Sequence, residues 1–280
     1  MTEKNSNQFS GISPFKMDIS YVEIASVSPL NINDAHIHEE CEIYINLSGD
    51  VSFVVENTVY PINPGDIIIT RPGEFHHCIY RSNAMHRHFW ILISCRDNEE
   101  LLDMFFNRAP GHGNLLTPTS DNSLRINLLC NALLSPDSSQ FEKYKQLFDL
   151  LSILRITADN EKQKELSVSD SLLPSDIAFV LEYLNDNFSA EITVSDLAAM
   201  AHVSINTLER HFRETLNSTP TEYIKKKRLA KSQQLLKQGF SVQEACENSG
   251  FSDYSHYIAA FKRAFGMTPL KYKKQFSRQG

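Results

Sequence analysis

The last third of the chain carries one pattern written twice, and a repeat of this kind narrows what can be built there. Thr193-Val194-Ser195-Asp196-Leu197-Ala198 is echoed by Ser241-Val242-Gln243-Glu244-Ala245-Cys246, and Thr219-Pro220 with Tyr223 by Thr268-Pro269 with Tyr272, at an offset of 48 to 49 residues. In each copy a hydroxyl residue stands three positions before an acid, Thr193 before Asp196 and Ser241 before Glu244. That spacing lets the pair satisfy orphan backbone N–H groups at a helix start. The short helix that follows ends near His202-Val203-Ser204 in one copy and Gly250-Phe251-Ser252-Asp253 in the other, where Gly250 suits a left-handed C-cap. Leu208 with Phe212, and Tyr257 with Phe261, then stand at i and i+4 and predict a second helix with one apolar stripe. One extra residue at the second turn moves the offset from 48 to 49. Two tight helical corners, each followed by an amphipathic helix, predict paired helix-turn-helix units, the geometry of a DNA reader.

Flanking signals complete two small helical bundles. Ser175 and Asp176 are candidate caps for a helix whose Ile177, Val180, Leu181, Leu184 and Phe188 share a face. Thr219 at N-cap, Pro220 at N1 and Glu222 at N3 start a helix through about Lys237 that joins the two halves. Gly239-Phe240 ends it, and the final helix begins at Pro269. Charge divides at the same place: residues 174–280 carry 14 Lys+Arg against 11 Asp+Glu, net +3, whereas residues 1–173 carry 13 against 23, net −10, within a whole-chain −7. Lys225, Lys226, Lys227, Arg228 and Lys231 cluster on the joining helix, and Lys262, Arg263, Lys271, Lys273, Lys274 and Arg278 follow the second corner. Such a run is either a solvated helix face or a phosphate-neutralising surface; beside two helix-turn-helix units, phosphate contact is the favoured reading.

Residues 174–280 resemble the AraC/XylS family DNA-binding domain, on the strength of Gly250-Phe251-Ser252-Asp253, Phe261-Lys262-Arg263, Gly266 and Thr268-Pro269 with Tyr272. The resemblance implies an all-α domain of about seven helices that sets two recognition helices into successive major grooves of double-stranded promoter DNA. In the first such helix Asn206 and Arg210 lie opposite the Leu208 and Phe212 stripe, with Thr207, Glu209 and Arg213 nearby. Arg210 fits the family's base-reading arginine and can form a bidentate contact with guanine; its other reading is a phosphate contact. The second recognition helix exposes Tyr254, Ser255, His256 and Ala259, then Lys262 and Arg263. Ala259 stands where the family often has arginine, so the first helix is expected to carry most of the sequence discrimination and the second thymine-methyl or backbone contacts. Cys246 occupies the family's small-residue packing position.

The first hundred residues follow a different period. Runs rich in β-branched and aromatic residues, Glu42 to Leu47, Val51 to Val55, Asp66 to Thr70 and His88 to Ser94, alternate with Ser48-Gly49-Asp50 and Asn63-Pro64-Gly65 turns. Short antiparallel strands of this kind predict a small barrel or sandwich. His36, His38 and Glu42 form His-x-His-x3-Glu ahead of Gly49, and Gly65 leads to Pro72-Gly73 and His76. This arrangement resembles the two cupin motifs, which implies a barrel whose three histidines and one glutamate face a common point; Tyr80 replaces the second motif's terminal asparagine. His36 and His38 share a strand face, and Glu42 has the same parity. The set admits three readings: a divalent metal site, for Zn, Ni, Mn or Fe, at His36, His38, Glu42 and His76; a polar wall binding a sugar or other metabolite with no cofactor required; or a structural or vestigial barrel. Tyr44, His88 and Trp90 are further effector-binding candidates.

Helices are predicted over 98–107, 122–134 and 139–158, and the last carries Phe141, Tyr144, Leu147, Phe148, Leu151 and Leu154 near heptad spacing. Tyr144, Leu147, Phe148, Leu151 and Leu154 either line a homodimer seam or pack on their own barrel. The domain reading is an N-terminal arm over 1–20, a cupin-like ligand-binding barrel over 21–110, a helical dimerisation region over 111–158, a linker over 159–173 and the double helix-turn-helix domain over 174–280. Five scattered cysteines without a Cys-x-x-Cys point to reduced thiols. The chain has neither a membrane-length apolar run nor a signal-peptide core, so a cytoplasmic location is expected. Together these readings give a two-domain α+β protein, not an enzyme: a transcription activator with a small-molecule effector in its N-terminal barrel, RNA polymerase as a partner and a homodimeric state. The alternatives are a metal-dependent cupin enzyme tethered to DNA and a regulator with an empty barrel that acts through protein partners.

Overall fold

Period-two alternation in the N-terminal half builds two antiparallel sheets whose strands each offer one side chain outward for each one inward. The computed structural model describes residues 2–12, 15–25, 36–95, 99–165 and 173–276. Its strands are β1 (Thr2–Ile12), β2 (Phe15–Ile24), β3 (Cys41–Ser48), β4 (Val51–Val55), β5 (Thr58–Ile62), β6 (Ile67–Thr70), β7 (His76–Tyr80), β8 (His86–Cys95) and β9 (Leu115–Leu116). The larger sheet has the order β1-β2-β8-β3-β6-β9 and the smaller β5-β4-β7. Between them lies a core of Tyr44, Val51, Phe53, Val55, Ile62, Ile68 and Cys78. Gly49 turns β3 into β4 at φ +102, and a Cβ there would stand 2.1 Å from Nδ1 of the His86 ring, so glycine is required on both counts.

The outer faces of both sheets are covered. Phe15, Met17, Ile19, Ile43, Ile45, Ile67, Ile69, Phe89, Ile91 and Ile93 of the larger sheet pack against α2 (Ser120–Leu134) and α3 (Gln140–Glu165). A 3-10 turn (Glu99–Leu102) and α1 (Asp103–Phe106) lead into this layer. The smaller sheet turns Val54 and Ile79, with Ile37 and Phe75 beside them, against the C-terminal helices. The order of layers is therefore helix pair, large sheet, small sheet, helical domain.

Three sequence expectations change here. Residues 15–20 of the expected arm lie in β2, which pairs with β8 along Phe15↔Cys95 to Ile24↔His86, and Thr2–Ile12 pairs with β2 in turn. Most of the heptad-like stripe belongs to the chain's own core: Leu147, Leu151 and Leu154 are buried there with Tyr144 packed against them, while Phe141 is exposed and Phe148 is exposed with its ring edge-on to Phe15 at 5.7 Å. The helix also runs through Glu165, into the range read as linker; residues 166–172 of that range lie outside the described residues. β5 and β7 were not among the runs singled out from sequence, because Pro61 and two adjacent histidines obscure their alternation.

Among the described residues the C-terminal half is seven helices: α4 (Ser175–Asn187), α5 (Val194–Met200), α6 (Ile205–Leu216), α7 (Pro220–Lys237), α8 (Val242–Asn248), α9 (Tyr254–Phe265) and α10 (Pro269–Phe276). Capping boxes form at Thr193/Asp196, Thr219/Glu222 and Ser241/Glu244, as the spacing predicts. Ser175 and Asp176 do not cap α4: Pro174 stands at the N-cap, and buried Asp176 instead accepts a 2.7 Å bond from His211 of α6. The two corners superpose in hydrogen bonding. Val203 N–H donates to Ala198 O and Phe251 N–H to Cys246 O, with His202 at φ 56 and Gly250 at φ 89 in the left-handed position. Ser252 is the extra residue, since the N-cap is Ser204 in the first copy and Asp253 in the second.

Candidate effector site and nucleic-acid interface

The histidines and the glutamate converge. The carboxylate Oε2 of Glu42, on the inward face of β3, lies 3.0 Å from Nε2 of His38, 3.2 Å from Nε2 of His76 and 3.8 Å from Nε2 of His36. The segment carrying His36 bridges to β7 opposite His76, which closes the group. Nδ1 of His38 donates to Glu40 O and Nδ1 of His76 to Glu74 O, both at 2.8 Å, which turns Nε2 of each toward the carboxylate. All four ligand atoms lie within 4.8 Å of one another, a spacing that suits a divalent ion. Burial alone would raise the Glu42 pKa, but the charge of His76 and hydrogen bonds from all three histidines hold it well below the usual range. Burial also pushes His76 toward its neutral form, against the pull of Glu42. The Glu42 carboxylate is buried, and burial opposes the charge on His76 that would balance it, which is the electrostatic setting a metal cation would satisfy.

Two more expected residues share this inward face. Tyr44 and His88 stack at 4.6 Å with 26° between their rings, and burial lowers the His88 pKa to about 4, leaving the ring neutral near pH 7. Trp90, half-buried, pairs across the strands with Tyr44 and Ser20. Sequence reasoning missed Asn46 and Thr70, both fully buried on the same face. Asn46 continues the 42, 44, 46 parity of β3 and was within reach of the sequence; Thr70 needs the register Glu42↔Thr70. Asn46 Oδ1, Thr70 Oγ1 and His88 Nδ1 are buried without a protein partner. A separate open cleft of about 890 Å³ lies outside the barrel, lined by Tyr21, Arg87, Asn127 and Asn131, and no expected effector residue reaches it.

The recognition helices present their outer faces to solvent. On α6, Asn206, Arg210 and Arg213 are exposed and Thr207 and Glu209 half-exposed. Arg213 pairs with Glu209 at 3.2 Å and Arg210 with Glu214 at 3.6 Å, open pairs that are easily exchanged for phosphate or base contacts. On α9, Tyr254, Ser255, His256, Ala259, Lys262 and Arg263 are all exposed. Ile205 and Tyr254 open the two helices and are each 44% exposed, a matched apolar pair of which the sequence reading singled out only Tyr254. Lys227 and Arg228 leave the expected phosphate cluster: Lys227 is buried, and Arg228 donates to Phe188 O and Ala190 O beyond α4.

A ligand-binding barrel joined to two exposed helix-turn-helix units defines a DNA-binding transcriptional regulator. The family model described as AraC-like ligand binding domain matches residues 29–154 and that of a helix-turn-helix domain matches residues 197–275. The chain belongs to the AraC family of transcriptional regulators. It is 25% identical over 256 residues to the HTH-type transcriptional regulator YdeC of Bacillus subtilis strain 168, covering 86% of each chain. It is also 25% identical to the HTH-type transcriptional activator RhaR of Enterobacter sp. strain 638, over 90% of this chain and 91% of that one. To the lactose operon transcription activator of Staphylococcus xylosus it is 22% identical, over 86% of each. Among solved structures, ToxT of Vibrio cholerae O395 matches at 15% identity and a TM-score of 0.38, over 99% of this chain and 98% of that one. The DNA-binding domain of AdpA in complex with a target DNA matches at 26% identity and a TM-score of 0.37, over 38% of this chain and 96% of that one.

Proposed function

We propose that the protein is a transcription activator whose effector is a hydroxyl-bearing small molecule, such as a sugar, held inside the barrel beside the Glu42 group. The observation that carries this is the set of unpartnered buried atoms Asn46 Oδ1, Thr70 Oγ1 and His88 Nδ1 on the face that also bears Glu42 and Tyr44. Buried polar atoms in native proteins have partners, so these ask for a ligand or ordered water; Asn46 Oδ1 in particular can only accept, and an O–H donor answers it. His36, His38, Glu42 and His76 would hold a divalent cation, which when bound would supply charge and open coordination positions for ligand oxygens. Tyr44 and His88 supply a flat stacked wall beside them.

The named activators among the relatives support activation, with RNA polymerase as a partner. Arg210 supports base readout by α6, and α9, lacking an arginine at Ala259, acts mainly as an anchor. We read the protein as a cytoplasmic homodimer and not an enzyme; among the described residues no helix is long and apolar enough to cross a membrane. Leu124 and Leu128 of α2, with Phe141, Phe148 and Ile156 of α3, are exposed apolar residues that the helix pair leaves for a second copy. Native mass spectrometry with elemental analysis of the full chain tests the effector reading. A retained polyol or sugar, alone or with one divalent ion per chain, is the expected result. A chain of bare mass whose melting temperature responds to neither polyols nor divalent ions would defeat it.

A further inference from the structure

The small sheet has a different partner on each side. On β7, His76 and Cys78 face the barrel interior, while His77 and Ile79 face outward, and Ile79, Val54 and Phe75 pack with Leu208 and Phe212 of α6 and Tyr223 and Ile224 of α7. One carboxylate ties the two sides together. Glu56, at the β4–β5 turn in a left-handed conformation (φ 51), exchanges backbone bonds with the residue before His76: its N–H donates to Phe75 O at 2.8 Å, and its Oε1 accepts from Phe75 N–H at 2.7 Å. Its Oε2 accepts from Lys227 Nζ of α7 at 2.9 Å, and its carbonyl accepts from Tyr223 O–H at 2.9 Å.

Lys227 is 4% exposed, bonded also to Asn185 Oδ1, with its ammonium 5.6 Å from the Phe75 ring centre and 5.8 Å from that of Phe188. A buried ammonium in this setting depends on its carboxylate, because an unpaired charge there is strongly disfavoured. Arg81, just beyond β7, adds a second tie by donating to Glu214 O and Thr215 O at the end of α6.

We propose that Glu56 and Lys227 form an interdomain latch that holds the DNA-reading domain against the sensor and weakens DNA binding until the barrel site is filled. The proposal rests on the effector reading above and adds how that site is coupled to the reader. The direction follows from charge: the reading faces of α6 and α9 stay open, so the latch does not act by covering them, but it holds a sensor of net −10 (residues 1–173) beside a reader of net +3 (residues 174–280), which opposes the approach of a polyanion. The route follows from covalent neighbours, since a ligand that shifts His76 shifts Phe75, and through it the Glu56 carboxylate.

The test uses the full-length protein, a duplex selected from a random-sequence pool by the wild type, and three variants. E56Q keeps an acceptor for Phe75 N–H but removes the charge partner; K227M keeps the apolar stem. D121N makes the same charge change as E56Q at an exposed position of α2, on the far side of the large sheet. Fluorescence anisotropy is expected to show E56Q and K227M binding the duplex about fivefold or more tightly than D121N, with faster amide hydrogen exchange in the first two turns of α7. Affinities and exchange equal to D121N in both variants overturn the latch, as does weaker binding by properly folded E56Q. If the wild type selects no duplex, the selection is repeated with E56Q; a pool that neither protein enriches overturns the regulator reading, and exchange then decides the latch, unchanged α7 protection in both variants rejecting it.

Discussion

Glu74 shows how much one side chain can organise. Its two oxygens accept from Arg108 at 2.8 and 2.6 Å, from the N–H groups of Arg71 and Gly111, and from Asn114 Nδ2, and the residue is 2% exposed. Those hydrogen bonds and the Arg108 charge hold its pKa below the usual range against the opposing effect of burial. Removing one partner of a buried pair typically costs about 3–5 kcal/mol, so Glu74→Ala should lose that much in chemical denaturation; a loss below about 1 kcal/mol would show the pair to be dispensable. No motif marks Glu74, because its meaning comes from a loop 34 residues away. Arg210 is the opposite case: spacing alone places it opposite the apolar stripe, and it is exposed as expected, while its base-reading role is what the family resemblance implies. Arg210→Ala should lower discrimination between specific and mismatched duplexes by about 1–3 kcal/mol with little change in thermal stability. The same substitution at Lys262 should weaken binding to both duplexes alike, and the reverse pattern in a competition assay would exchange their roles.

At the scale of elements, the two corners were readable because capping and turn chemistry act within a few residues. Thr193, Ser241, Thr219-Pro220 and Gly250 each do what their local spacing predicts. What spacing cannot show is which glycine also has a neighbour. A Cβ on Gly250 would lie 2.5 Å from the backbone of Ser189, whereas one on Gly266 meets nothing within 4 Å. Both are left-handed, so Gly266→Ala should cost only the conformational term, about 1–2 kcal/mol. Gly250→Ala should cost clearly more and shift the loop after α4, read as a lower melting temperature; equal losses would mean that loop yields freely. The barrel strands were less legible. β3 and β4 alternate cleanly, but β7 carries His76 and His77 on opposite faces that are both buried, so polarity no longer distinguishes inside from outside.

For the whole molecule, the α3 stripe is the instructive ambiguity. Heptad spacing identifies an apolar face but not its occupant, since a barrel and a second helix bury the same residues equally well. The structure packs Leu147, Leu151 and Leu154 on the chain's own large sheet. Leu154→Ala should therefore destabilise the fold by about 2–5 kcal/mol, and the loss should not depend on protein concentration. A loss that disappears on dilution would return the stripe to an interchain seam.

The sequence by itself determined the two-domain α+β division, the seven C-terminal helices with three capping boxes and two corners, and the metal-like histidine and glutamate set. Each of these is written in short-range spacing or in a change of charge. Only the tertiary structure decided that residues 15–20 belong to the sheet, that Lys227 faces the sensor and not DNA, and that Asn46 Oδ1, Thr70 Oγ1 and His88 Nδ1 lie unpartnered on the face that bears Glu42. Those outcomes depend on strand register and on which layer covers which face, and both are settled by contacts between residues far apart in the chain.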